Sequence, residues 1–431
     1  LGGHPVGEFG GAGGDGGAVV AVASASRVGL HFERCQAGGG LDDGEFAKGF
    51  GPGGGRSPPL PYGRLPHGSG RFGSGLSLGQ GAQMLYTSGT TGQPKGVVLT
   101  HGNLAAQVHA LVTAWGWQGG DRLLHVLPLH HIHGIVNALL CPLAVGARCE
   151  MLPKFEVEAV WERLGSGDIS VLMGVPTMYR RLVDFWEDQS GDRQAAWRAG
   201  CQGLRLAVSG SAALPVSVLT RWQEITGIGL LERYGMTEIG MALSQPLLGE
   251  RVPGTVGQPL PGVTVRVVDE AGQPVAAGEP GELEVQGPSV FREYWQRPEA
   301  TAAAFRDGWF RTGDLVVARD GAYRIWGRRS VDLIKTGGYK VSALEIEEVL
   351  RTHPVIADCA VVGLPDAEWG ERVAVAVVLK APLTLEALRV WGKTQIAPYK
   401  VPSRWVVLPE LPRNALGKVT KPAIAARFAL P

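Results

Sequence analysis

This chain has no excess charge of either sign. Its 431 residues carry 41 lysines and arginines against 40 aspartates and glutamates, so nothing electrostatic selects a nucleic acid or an anionic membrane surface. Long hydrophobic runs are missing too. Residues 135–145 form one of the longest, and Asn137 and Pro142 interrupt it well short of the ~20 residues that a bilayer demands. Cysteine is scarce: Cys35, Cys141, Cys149, Cys201 and Cys359 lie scattered, without paired metal-ligand spacing. That argues for free, mostly buried thiols in a reducing compartment and against a disulfide framework. The Walker pattern of P-loop nucleotidases is absent as well. Glycine, by contrast, is crowded at one end, with 25 of its 64 copies in the first 80 residues and prolines at 58, 59 and 61. Such a segment buries little apolar surface, and residues 1–80 are expected to be disordered.

What is present points to phosphate chemistry. Residues 86–97 read Tyr-Thr-Ser-Gly-Thr-Thr-Gly-Gln-Pro-Lys-Gly-Val. Gly89, Gly92 and Gly96 let the backbone turn tightly and approach a phosphate chain. The hydroxyls of Thr87, Ser88, Thr90 and Thr91 can donate to phosphate oxygens, Gln93 and Pro94 complete the turn, and Lys95 adds a positive charge. Apolar runs at 84–86 and 97–99 predict a hairpin around this loop. Downstream, strands at 123–127, 171–175 and 204–208 alternate with helices at 157–164 and 178–186, the pattern of an open α/β sheet. The third strand delivers Ser211 and Ala212 at its C-terminal end, where such sheets place ligands. Beyond Gly257, strands at 263–268 and 281–286 predict a β-rich subdomain. After about residue 327, helices at 343–352 and 385–396 with strands at 358–362 and 373–379 predict a small α+β unit.

Further motifs follow in order: Pro128-Leu129-His130-His131-Ile132-His133-Gly134, then Tyr234-Gly235-Met236-Thr237-Glu238. Asp314 closes Trp309-Phe310-Arg311-Thr312-Gly313-Asp314, Gly327-Arg328 comes next, and Lys418 ends Pro412-Arg413-Asn414-Ala415-Leu416-Gly417-Lys418. Together with the loop, these motifs resemble the adenylate-forming superfamily of acyl-CoA synthetases, luciferases and peptide-synthetase adenylation domains. The resemblance covers about residues 82–428, and within the superfamily the chain is most similar to malonyl-CoA synthetases, including the mitochondrial ones of vertebrates. It implies an α/β large domain with a β-rich subdomain (81–327, incomplete at its N-terminus) and a small mobile α+β domain (328–431). It also implies that the upstream part is lost or misread, a natural Gly-rich tail being the alternative.

The expected reaction joins a carboxylic acid to coenzyme A with ATP, through an acyl-adenylate. Two anions must approach each other, so cation and dipole stabilisation should dominate. Glu238 and Thr90 are expected to hold Mg2+, and the Thr237 hydroxyl to touch the α-phosphate. Asp314 should accept the ribose hydroxyls, with Arg328 or its neighbour Arg329 as the second ribose contact. Tyr234, Gly235 and Met236 complete the nucleotide site. Lys418 would reach in from the small domain for adenylation, and Lys335, within 335–340, would serve the attack of CoA. Ser330 and Asp332 both remain open as the hinge. His131 aligns with a gating position. A zinc reading of His130, His131 and His133 fails for lack of a carboxylate or cysteine at helical spacing.

Arg233 is the specificity signal. The matching residue in fatty acyl-CoA synthetases is usually small, and a buried arginine needs an anion to answer it. A second substrate carboxylate supplies one, with His133 donating a further hydrogen bond, so malonate is expected and methylmalonate stays open. The alternative for Arg233 is a salt bridge to Glu232 or another acid. Another short-chain acyl-CoA synthetase, or a non-catalytic fragment, are the alternative functions. The expected partners are small molecules only, with no membrane span and a monomeric state. The resemblance alone implies the mitochondrial matrix.

Overall fold

The structure, a computed structural model, describes residues 71–72, 76–87, 94–413 and 418–428. The expectations for residues 1–70, and for Ser88, Gly89, Thr90, Thr91, Gly92 and Gln93, lie outside the described residues. The strands Gly81–Thr87 and Lys95–Thr100 pair antiparallel, as the apolar runs at 84–86 and 97–99 predict. A third strand, Glu293–Tyr294, adds to the outer side of Lys95–Thr100. The hairpin runs straight into the helix His101–Ala114, which starts at a capping box: Thr100 Oγ1 accepts Asn103 N–H and Asn103 Oδ1 accepts Thr100 N–H. The Asn103 amide also donates to the carbonyls of Pro288 and Val290 at 2.8 Å each. That tie brings the 288–295 segment back onto the hairpin.

The main sheet has seven strands. Arg148–Met151, Arg122–His125, Val171–Gly174, Leu206–Ser209 and Leu230–Met236 run parallel, and Gly240–Ser244 and Gln258–Pro259 close one edge antiparallel. The first parallel strand stops at His125, two residues earlier than expected, because the chain leaves the sheet towards Pro128. The following helix starts at Pro176 itself, proline's fixed φ being suited to a first helical turn.

One face of the sheet is packed by an aromatic cluster. Trp161 stacks on Trp197 and Trp222 with centroids 5.4 and 5.8 Å apart, and Tyr179 meets Trp222 edge-on at 5.0 Å. The Tyr179 hydroxyl donates to Val208 O at 2.9 Å, and Trp161 Nε1 to Leu182 O. These rings seat the strand Leu206–Ser209, whose C-terminal end leads into the site.

A β-rich unit follows, built on Thr264–Val268, Pro280–Gln286, Trp309–Arg319 and Ala322–Arg328. Beyond it, the sheet of Leu333–Thr336, Tyr339–Ser342, Ile356–Asp366 and Gly370–Leu379 carries the helices Ala343–Arg351 and Leu385–Gln395 over a core of its own. This last unit touches the rest sparingly. Val216 N–H donates to Glu348 Oε1 at 3.2 Å, the Arg180 guanidinium donates to Ala357 O, and Lys340 pairs with Glu270 at 3.1 Å. Among the described residues no helix is long and apolar enough to cross a membrane. Cys141, Cys201 and Cys359 are buried and Cys149 half-buried, all four as free thiols.

Replacing Trp161 by alanine should cost about 3–5 kcal/mol in urea unfolding, the usual loss for a fully buried tryptophan. A loss under about 1 kcal/mol would show that the aromatic cluster does not hold the sheet.

Candidate active site

Four elements converge at the C-terminal ends of the parallel strands. The hairpin supplies Lys95, whose ammonium lies 4.2 Å above the Tyr294 ring. Tyr294 reaches that place because Trp295 N–H donates to Gly96 O and Arg292 N–H to Val98 O, zipping its short strand onto the hairpin. Its hydroxyl donates to Glu238 Oε1 at 3.0 Å. Glu238 sits in the turn between Leu230–Met236 and Gly240–Ser244, and its carbonyl accepts Phe291 N–H at 2.7 Å. The carboxylate is buried, and Oε2 has no hydrogen-bond partner. Burial raises its proton affinity, against the pull of Tyr294, Arg328 and Lys95. No cluster of three or more metal-ligating side chains exists among the described residues. A cation here would therefore take Glu238 Oε2 and complete its oxygen shell from phosphate and water, as Mg2+ commonly does.

Asp314, in Trp309–Arg319, is the second acid of the site. Arg328 grips it bidentately, Nε to Oδ1 at 2.7 Å and Nη2 to Oδ2 at 3.2 Å. Tyr234 donates its hydroxyl to the same Oδ2 at 2.6 Å. Arg329 turns away and pairs with the buried Glu282 at 3.0 Å. Of the two arginines, Arg328 is thus the one at the site. Thr237 lies next to Glu238 in the hairpin turn, and Gly235 and Met236 precede it on the strand.

On the strand Leu230–Met236, successive side chains point to opposite faces, so Arg233 and Glu232 part. Glu232 has no ion pair with Arg233. Burial pushes its carboxyl up to about 8, and it lines a cavity of about 420 Å³ together with Gln223, Gln245 and Arg251, away from the convergence described here. Arg233 is 3% exposed. Its Nη2 donates to Ser211 Oγ at 3.3 Å, and its Nε has no partner. Among the described residues no carboxylate pairs with it, and burial pulls its guanidinium down to about 9, still charged at neutral pH. Gly210 makes room for it, since a Cβ there would stand 2.6 Å from the guanidinium. Ser211 completes the bend at φ 71°, a left-handed value costly for a side chain.

The histidines lie just before and at the start of the π-helix His133–Leu140, and His133 is near enough to Arg233 to feel its charge. Gly134 allows a close approach, for a Cβ would fall 2.2 Å from Pro128 O. His125, which the sequence did not single out, holds this bend: Nδ1 accepts Leu127 N–H at 3.3 Å, which leaves Nε2 to donate to Gly134 O at 3.0 Å. His133 is buried with neither ring nitrogen partnered. Burial first, and the charge of Arg233, keep it neutral. His131 is likewise pulled down to about 4, by burial and by His130 and Lys418.

Lys418 comes in from the last unit. Its side chain is exposed by area, yet its ammonium is held below the ordinary value by burial and by Arg328 and Arg233, with Asp314 and Glu238 acting the other way. That set of neighbours puts Lys418 among the groups just described. Lys335 is not among them. It lies exposed on Leu333–Thr336, where its amide donates to Glu371 at 2.6 Å. Sequence reasoning also missed Tyr294, a lone tyrosine whose site partners Glu238 and Lys95 are distant in sequence, Glu238 by 56 residues.

The profile of the AMP-binding enzyme family matches residues 74–295, and that of the AMP-binding enzyme C-terminal domain matches residues 345–418. The chain belongs to the AMP-binding enzyme family, and its fold is that of the adenylate-forming enzymes. Within it, the mitochondrial malonate–CoA ligase of Homo sapiens is 52% identical over 379 residues, covering 81% of this chain and 66% of the relative. The malonate–CoA ligase of Arabidopsis thaliana is 46% identical over 371 residues, covering 80% and 60%. Among solved structures, ATP-bound MatB from Rhodopseudomonas palustris superposes with a TM-score of 0.77 at 39% identity, covering 82% of this chain and 69% of that one. The chain spans 63% to 66% of the length of the four vertebrate relatives compared.

Because the charge of Arg233 is buried without an acid, exchanging it for methionine should stabilise the ligand-free protein by at least about 1 kcal/mol in denaturant unfolding. A destabilised variant would mean that the guanidinium already has its anion within the fold.

Proposed function

We propose that this chain carries the machinery of an AMP-forming malonate:CoA ligase. The observation that carries the reading is Arg233, a buried guanidinium with no acidic partner among the described residues, whose charge acts on the buried ring of His133, likewise unpartnered among them. One malonate carboxylate docks there, Arg233 gripping it and His133 donating from one ring nitrogen. The other carboxylate attacks the α-phosphorus of ATP. The α–β phosphoanhydride bond breaks and pyrophosphate departs, leaving malonyl-adenylate. The CoA thiol then attacks the malonyl carbonyl, the acyl–phosphate bond breaks, and AMP leaves with malonyl-CoA as the product.

The remaining groups divide this work. Asp314 accepts the ribose hydroxyls while Arg328 and Tyr234 fix its orientation. Lys95 and the hydroxyl-bearing residues of the preceding motif hold the leaving phosphates, and Thr237 meets the α-phosphate. Mg2+, held by Glu238, would neutralise phosphate charge. Lys418 sets its ammonium against the charge that develops as the carboxylate adds to phosphorus. Residues 81–327 form the body that holds the nucleotide and 328–431 the body that carries Lys418, with Lys335 on a face used for CoA. The relatives' substrate supports malonate, and a neighbouring malonyl-CoA ligase solved with methylmalonyl-CoA and AMP supports methylmalonate as a second acid. The vertebrate relatives, described as mitochondrial, support a mitochondrial location.

Two outcomes test the reading. Arg233→Gly should lose malonate-dependent pyrophosphate release and gain turnover of a short monocarboxylate; unchanged malonate use would refute the assignment. Lys418→Ala should slow adenylation on the order of 10²–10³-fold, yet convert presynthesised malonyl-adenylate and CoA at close to the unmodified rate. Equal damage to both steps would make Lys418 structural.

A further inference from the structure

Three residues beyond Lys418 stands a second lysine that this chemistry does not use. Lys421 opens the helix Lys421–Ala426, and its side chain is 10% exposed. The ammonium lies 2.5 Å from Asp332 Oδ1 and 2.9 Å from Glu347 Oε1. Both carboxylates are fixed in their turn. Asp332 Oδ2 accepts the backbone N–H of Arg328 at 2.9 Å, and its carbonyl accepts Ala343 N–H at 2.8 Å. Glu347 is buried, accepts Val361 N–H at 2.9 Å and pairs with Arg351 at 3.2 Å.

A continuous set of contacts therefore runs from Asp314 through Arg328 to Asp332, and from there to Lys421. The backbone beside Lys418 is pinned on the same side: Val419 bridges to Arg413, and Thr420 N–H donates to Pro412 O at 2.8 Å. A lysine is a point charge on a flexible stem, so its backbone must be held if the charge is to fall in one place. Misplacement by about 1 Å can cost on the order of 10² in rate.

We propose that Lys421 and Asp332 form an ionic clamp that positions Lys418, setting the catalytic ammonium and the Arg328–Asp314 nucleotide contact from one connected framework. The inference rests on the role given to Lys418 above. Neither Lys421 nor Asp332 touches substrate in it; both act through the backbone of their neighbours.

The test uses the full chain with Asp332→Asn, which keeps an acceptor for Arg328 N–H and removes only the charge, together with Lys421→Met and Lys421→Arg. In Asp332→Asn and Lys421→Met, malonate- and ATP-dependent pyrophosphate release should fall at least about tenfold. Formation of malonyl-CoA from presynthesised malonyl-adenylate should stay within about twofold, and Lys421→Arg should recover most of the loss. A readout without turnover accompanies these: hydrogen exchange at the Thr420 amide should quicken about tenfold in Asp332→Asn. Equal losses in both half-reactions, no loss in either, or unchanged exchange at Thr420 would overturn the clamp. An unmodified chain that turns over neither malonate nor its adenylate would instead overturn the functional reading, and the exchange measurement would still decide the clamp.

Discussion

A guanidinium closed off from water has to be answered by an anion, and for Arg233 none is provided among the described residues. Arg233 is presented by an inner strand of the main sheet, against a glycine that a Cβ could not replace and a serine bent into the left-handed region. The neighbouring Glu232 faces the other side of that strand, as the two-residue repeat of a β-strand requires. The unfavourable burial is thus built in, and under the proposed function a dianionic acid would turn it into selectivity. A fatty chain offers nothing to neutralise the charge, whereas a second carboxylate does.

The rest of the site arranges its charges in interlocking pairs. Tyr294 links Lys95 to Glu238, and Asp314 links Tyr234 to Arg328. Arg328 joins the nucleotide side to the unit that carries Lys418, since its side chain serves Asp314 and its amide serves Asp332. Besides contacts at Val216, Arg180 and Glu270 and the Ser342 hydroxyl's hydrogen bond to Trp326 O, the lysine's placement rests on this connection and on the fold of the unit itself.

Much of this was legible in the sequence where chemistry is local. The hairpin around the phosphate loop followed from two apolar runs flanking glycines, and the helix at 157–165 and the strand at 171–174 from their periods. Lys95, Glu238, Asp314, Arg328 and Lys418 could be named because each sits in a short motif, and the structure brings their side chains within reach of one another. Other features depend on distant partners. Tyr294 becomes a site residue only because the strand Glu293–Tyr294 pairs with a hairpin almost 200 residues earlier. The choice between Arg328 and Arg329 needed the positions of Asp314 and Glu282, which no spacing reveals. The π-helix after the histidine motif also went unforeseen, because its extra residue per turn leaves no periodic mark over eight residues.

The central claim is that the buried charge of Arg233 is there for the far carboxylate of the substrate. A crystal structure of the chain with a non-hydrolysable malonyl-adenylate analogue addresses it directly. The account predicts the distal carboxylate oxygens within about 2.7–3.2 Å of the Arg233 guanidinium nitrogens, with a His133 ring nitrogen turned towards them. A distal carboxylate left in solvent, with Arg233 paired to an acid of the protein instead, would contradict it.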